Sequence, residues 1–92
     1  MKHLITELCW QNGIRLLSDV APTLYDEGLF KDRPRLFELL HDCEALVVRN
    51  QTQVNAELLS HAPALRVVGR LGVGLDNLDL NVLRERGIKV VT

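Results

Sequence analysis

A chain of 92 residues, 47% hydrophobic and 25% charged, fits one globular domain and excludes a disordered segment. A net charge of −1 gives no basic field to gather nucleic acid. No apolar run is long enough to cross a bilayer, and Glu7 interrupts the N-terminal apolar stretch too early for a signal peptide, so the expected location is the cytoplasm.

The first predicted strand covers residues 2–6, with Leu4 and Ile5 as its apolar centre. Residues 7–12 form a connection carrying Cys9 and Trp10. Trp10 can line a pocket mouth, but an aromatic covering the sheet edge is the simpler reading. Ile14, Leu17 and Ala21, with Leu16 and Val20, repeat at helical spacing and predict a helix over 13–20 that Pro22 ends. Residues 23–25 read as a weak edge strand, broken by Gly28. Asp32 can cap a second helix whose first turn holds Arg33 and Pro34, where proline's missing N–H costs nothing. Its buried face is Leu36, Phe37, Leu39 and Leu40.

Residues 45–48 are a continuous apolar run, the pattern of a strand covered on both faces. A polar segment, Arg49-Asn50-Gln51-Thr52, follows at once. Asn55 caps a third helix over 56–61, and Pro63 closes it. Residues 65–68 read as the next strand, followed by a glycine-rich turn. Asp79 caps a fourth helix over 80–86, with Gly87 at the left-handed position past its end. Residues 88–91 form the fifth strand.

This alternation predicts an α/β fold: a flavodoxin-like, doubly wound parallel sheet of five strands in the order 2-1-3-4-5, in one domain over residues 1–92. Such a fold needs a helix after the fifth strand. The expectation is therefore a domain incomplete at its C-terminus, with apolar sheet face left for a continuation or a partner chain.

Function is expected at the glycine turn. Gly72 and Gly74 leave the backbone bare, so amide N–H groups can approach a ligand closely. Arg70 beside them suits a small anion, a carboxylate or a phosphate. The turn is no dinucleotide fingerprint: in Gly72-Val73-Gly74-Leu75-Asp76-Asn77 the third glycine position holds Asn77, and Asp76 and Asp79 would crowd a diphosphate. A glycine-rich connection with no ligand stays open as the plainer alternative. Ligands of open parallel sheets sit beyond the carboxyl ends of the strands, where Arg49 and Arg70 would face one cleft; solvated or salt-bridged arginines are the alternative there. Cys9 and Cys43 lack metal or redox spacing and are expected as buried thiols, and His3, His41 and His61 share no metal-ligand spacing. His41 and His61 fall near helix ends.

Three stretches carry a resemblance. Ala45-Leu46-Val47-Val48-Arg49-Asn50-Gln51-Thr52-Gln53-Val54, then Leu65-Arg66-Val67-Val68-Gly69-Arg70-Leu71-Gly72-Val73-Gly74-Leu75-Asp76-Asn77-Leu78-Asp79, then Arg86-Gly87-Ile88-Lys89-Val90-Val91-Thr92 resemble the NAD-dependent D-2-hydroxyacid dehydrogenases, nearest the 3-phosphoglycerate dehydrogenase branch. The resemblance implies the N-terminal part of that family's substrate-binding domain. It implies that the amides of Val73 and Gly74 hold a substrate carboxylate, and that Arg49 and Arg70 line the same cleft and meet a second anionic group. Asn50 stands where the family more commonly has serine, which bears on substrate choice.

The implied ligand is a small anionic 2-hydroxy or 2-oxo acid. The NAD loop and the catalytic groups belong to the family's second domain, so this chain is expected to hold no cofactor, metal or catalytic residue and to work with the rest of a dehydrogenase chain. The alternative is a stand-alone flavodoxin-like module that covers its sheet face by forming a homodimer.

Overall fold

The computed structural model describes residues 2–72 and 74–92. Strands His3–Ile5 (β1), Thr23–Tyr25 (β2), Ala45–Val48 (β3), Val67–Arg70 (β4) and Lys89–Val91 (β5) form one parallel sheet ordered β2-β1-β3-β4-β5. The flavodoxin-like order expected from the sequence is the observed one. Between the strands run helices Gln11–Val20 (α1), Arg33–Leu40 (α2), Ala56–Ser60 (α3) and Leu80–Glu85 (α4). None of the described helices is long and apolar enough to cross a membrane.

Local chemistry sets the boundaries. Asp32, Asn55 and Asp79 each accept a backbone N–H in the first turn of their helix, from Arg35, Leu58 and Val82 respectively. Gly87 takes φ +69° past α4, a conformation side-chain-bearing residues avoid. Helix α1 starts two residues before the expected position, because Ile14 N–H already reaches the carbonyl of Trp10. Strand β4 is displaced two residues toward the C-terminus of the expected span. Arg66 and Val67 N–H both bond the carbonyl of Glu44, which locks Val67 opposite Ala45 and carries Gly69 and Arg70 into the strand.

Right-handed crossovers decide which face each helix covers. The β1-to-β2 connection runs one way along the sheet, and the other three run the opposite way. Strand residues alternate accordingly. Leu4, Leu46, Val48 and Val68 join Leu36, Leu40, Leu58, Leu59 and Leu83 in the main core, beneath α2, α3 and α4. Ile5 and Val47 point the other way, to a small cluster with Cys9, against which Ile14 and Leu17 of α1 pack. Three helices cover one face, and α1 alone covers the other.

Candidate functional site

The site lies past the carboxyl ends of β3 and β4. Register sets Val48 beside Arg70, and Leu71 N–H bonds the carbonyl of Val48, so the loops leave the sheet side by side.

Beneath the first loop sits Glu7, two residues past the end of β1 and only 3% exposed. Its Oε2 accepts the N–H groups of Arg49 and Thr52 at 2.8 and 2.9 Å, and its Oε1 accepts that of Gln51 at 2.8 Å. Thr52 is fully buried, its hydroxyl 2.8 Å from that of Thr6. Burial alone pushes the Glu7 carboxyl up, but the Thr52 hydroxyl and the three amides outweigh it and hold the group below its ordinary value. The carboxylate thus serves as a charged template for the loop backbone.

Arg49 projects from this loop, half-buried, with Nη1 donating to the carbonyl of Leu8 at 3.2 Å. Arg70 ends β4 and is 8% exposed. Its Nε donates to Asn77 Oδ1 at 3.3 Å and its Nη1 to the carbonyl of Leu71 at 2.7 Å. All these acceptors are neutral. Among the described residues neither arginine has a carboxylate within ion-pair distance. A buried guanidinium without a counter-charge is costly, and an incoming anion would relieve that cost.

Arg49 and Arg70 both line an open groove of about 650 Å³, together with Leu71 and Gly72. The rest of the groove is the face that α1 leaves bare, walled by Trp10, Leu16, Val47 and Val91. Trp10 therefore lines the groove mouth, 58% exposed and stacked over Gly13, instead of covering the sheet edge as expected. Asn50 is exposed and borders a neighbouring hollow of about 450 Å³ with Arg49, Gln51 and Lys31. Gly74 is exposed at φ +89° and borders neither hollow. Val73, expected to present a backbone amide, lies outside the described residues.

Cys9 also lines the groove, yet burial raises its thiol more than the nearby Arg49 lowers it, so it stays protonated and is no activated nucleophile. Cys43 is buried and pushed up to about 11. Both thiols are buried, as expected. His41 and His61 stand at the C-caps of α2 and α3, and His61 stacks on Phe37 with ring centroids 4.1 Å apart.

Glu7 and Asn77 were not among the expected site residues. Glu7 had one available signal: a carboxylate at the end of a strand adjacent to β3 must find partners, and the nearest free amides are those of the polar loop.

These features define an α/β domain in which two strand-end loops bring Arg49 and Arg70 to the wall of one groove. The chain belongs to the D-isomer specific 2-hydroxyacid dehydrogenase family (catalytic domain), whose model matches residues 3–92. It is 43% identical over 88 residues to the (S)-sulfolactate dehydrogenase of Chromohalobacter salexigens, covering 96% of this chain and 28% of that protein. It is 37% identical over 91 residues to the D-3-phosphoglycerate dehydrogenase of Methanocaldococcus jannaschii, covering 99% of this chain and 17% of that one. The solved structure of the TT0316 protein from Thermus thermophilus superposes with TM-score 0.86 at 28% identity, over 98% of this chain and 29% of that one. An NAD+-bound 3-phosphoglycerate dehydrogenase from Entamoeba histolytica shares the fold, with TM-score 0.82 at 23% identity, over 98% of this chain and 32% of that one. The chain thus spans under a third of the length of each of these proteins.

Proposed function

We propose that this chain forms the substrate-binding half of an NAD-dependent oxidoreductase acting on the CH–OH of a small anionic 2-hydroxy acid. The observation that carries the reading is the pair Arg49 and Arg70, both lining one groove and, among the described residues, without a carboxylate partner, in a chain of this family. Sulfolactate and 3-phosphoglycerate, named for two relatives, are each 2-hydroxy acids with a second anionic group, and two guanidinium groups suit such a ligand. In this reading one arginine and the glycine turn at Gly72, Val73 and Gly74 take the carboxylate. The other arginine, with Asn50 at the rim, meets the distal group.

This chain's own loop does not fit a dinucleotide diphosphate. Asn77 stands at the third glycine position, 4% exposed and bonded inward, and Asp76 and Asp79 bring negative charge. NAD and the proton-transfer groups belong, in this reading, to the remainder of a dehydrogenase, and the chain alone binds without reacting. Its cellular place is the cytoplasm, in keeping with two free thiols.

The test is a 15N-resolved NMR titration of the chain with D-3-phosphoglycerate and with sulfolactate. Shifts confined to the Arg49 and Arg70 loops, lost in Arg70→Ala, are expected. Undisturbed spectra at tens of millimolar ligand, a concentration at which even a ~3 kcal/mol interaction registers, overturn the reading.

A second reading, a binding module that pairs with a second copy, is favoured by the sheet face that α1 covers alone, where Leu16 is 66% and Val91 50% exposed. Sedimentation of the isolated chain distinguishes a monomer from such a pair.

A further inference from the structure

Asn77 stands where the two loops of the cleft meet. Its Nδ2 donates to the carbonyls of Arg49 at 2.7 Å and Thr52 at 2.8 Å, and its Oδ1 accepts from Arg70 Nε at 3.3 Å. Both amide hydrogens are committed to the first loop, and the amide oxygen to the arginine of the second. The backbone repeats the stitch. Val54 N–H donates to the carbonyl of Asn77 and Asp79 N–H to that of Val54, around a parallel bridge between Val54 and Leu78.

Only a carboxamide meets this demand. Two carbonyls require donors and a guanidinium requires an acceptor, all within one short side chain. An aspartate has the same shape but no donors. It would face two carbonyl oxygens across a short gap and would set a carboxylate against the guanidinium of Arg70.

The consequence for Arg70 is directional. Its Nε and one Nη1 hydrogen are spent on Asn77 and Leu71, which leaves Nη2 and the second Nη1 hydrogen for a ligand. We infer that Asn77 is a positioning residue, coupling the two arms of the cleft by fixing both the aim of Arg70 and its separation from the loop of Arg49. The inference rests on the reading of this cleft as an anion site, and assigns to Asn77 the geometry on which recognition of a two-anion ligand depends.

The test compares the unsubstituted 92-residue chain with Asn77→Ala and Asn77→Asp, using two readouts. The first needs no ligand: the Arg70 Nε–H resonance is expected to be shifted and slow to exchange in the unsubstituted chain, and to lose that protection in Asn77→Ala. The second is affinity for D-3-phosphoglycerate by the same titration. Asn77→Asp is expected to bind about tenfold more weakly than the unsubstituted chain, and more weakly than Asn77→Ala, because its carboxylate occupies Arg70. A merely structural role predicts the reverse order, the shape-matched aspartate being the milder change. Measurable but equal affinities in all three proteins, or an Arg70 Nε–H unaffected by Asn77→Ala, overturn the inference. Should Asn77→Asp fail to fold, Asn77→Ser replaces it: its single hydroxyl hydrogen can serve only one of the two loop carbonyls, so both Arg70 Nε–H protection and affinity should fall below those of the unsubstituted chain, and full retention of both overturns the inference. If the unsubstituted chain binds no anion while Asn77→Ala still strips the protection of Arg70, the proposed function falls and the coupling of the loops stands.

Discussion

Glu7 stays ionised at 3% exposure because three backbone amides and a hydroxyl replace the water it has lost. Its pKa is lower folded than unfolded, so its contribution to stability is fully present above the ordinary carboxylate value and is lost as pH falls through the folded value. Glu7→Gln is expected to cost about 2 kcal/mol at neutral pH, since an amide group cannot accept three N–H donors as a carboxylate does. Urea midpoints across pH check this: the two proteins should differ most near neutrality and converge in acid. A gap that widened toward low pH would mean that Glu7 is not held as a carboxylate. Neither Glu7 nor Asn77 was legible as a site residue, because their bonds join positions 42–45 and 25–28 apart in the chain, and only the sheet order makes those positions neighbours.

At the scale of elements much more was readable. The buried run of β3, the caps at Asp32, Asn55 and Asp79, and the left-handed Gly87 are local chemistry, and each stands where the sequence sets it. What was not local shifted. The bounds of β4 depend on which carbonyl of the neighbouring strand Arg66 and Val67 find, and hydrophobicity alone stops at Val68. The turn after β4 separates two glycines that look alike in sequence. Both have positive φ, at +92° for Gly72 and +89° for Gly74, so alanine at either is expected to cost about 1 kcal/mol of backbone strain. A methyl at Gly74 meets nothing within 4 Å, whereas one at Gly72 stands 3.1 Å from Arg70 Nη1. Gly72→Ala should therefore also displace Arg70 and weaken anion binding, while Gly74→Ala loses stability first. Thermal unfolding read beside the ligand titration separates the two, and equal effects on affinity would count against Arg70 as an anchor.

The whole molecule is lopsided. Three helices bury one face of the sheet in a continuous core, while α1 shelters the other with little more than Ile14 and Leu17. Trp10 and Leu16 stay more than half exposed, and Val20, on the same helix, is 74% exposed, as is half of Val91 across the groove. An apolar surface of this extent is uncommon on a lone small domain and is expected to find cover. In the isolated chain the readily available cover is a second copy, since the same groove and helix occur on both and can pack reciprocally. The chain should therefore sediment as a concentration-dependent dimer. Leu16→Glu should restore the monomer without lowering the melting temperature by more than about a degree or two, because a side chain 66% exposed contributes little to the core of its own domain. A monomer at every concentration, or a Leu16→Glu chain that dimerises unchanged, would place the cover elsewhere. A Leu16→Glu chain that is monomeric yet binds D-3-phosphoglycerate as before would show that the anion cleft is complete within one copy, since Arg49 follows β3 and Arg70 ends the adjacent β4 of one sheet.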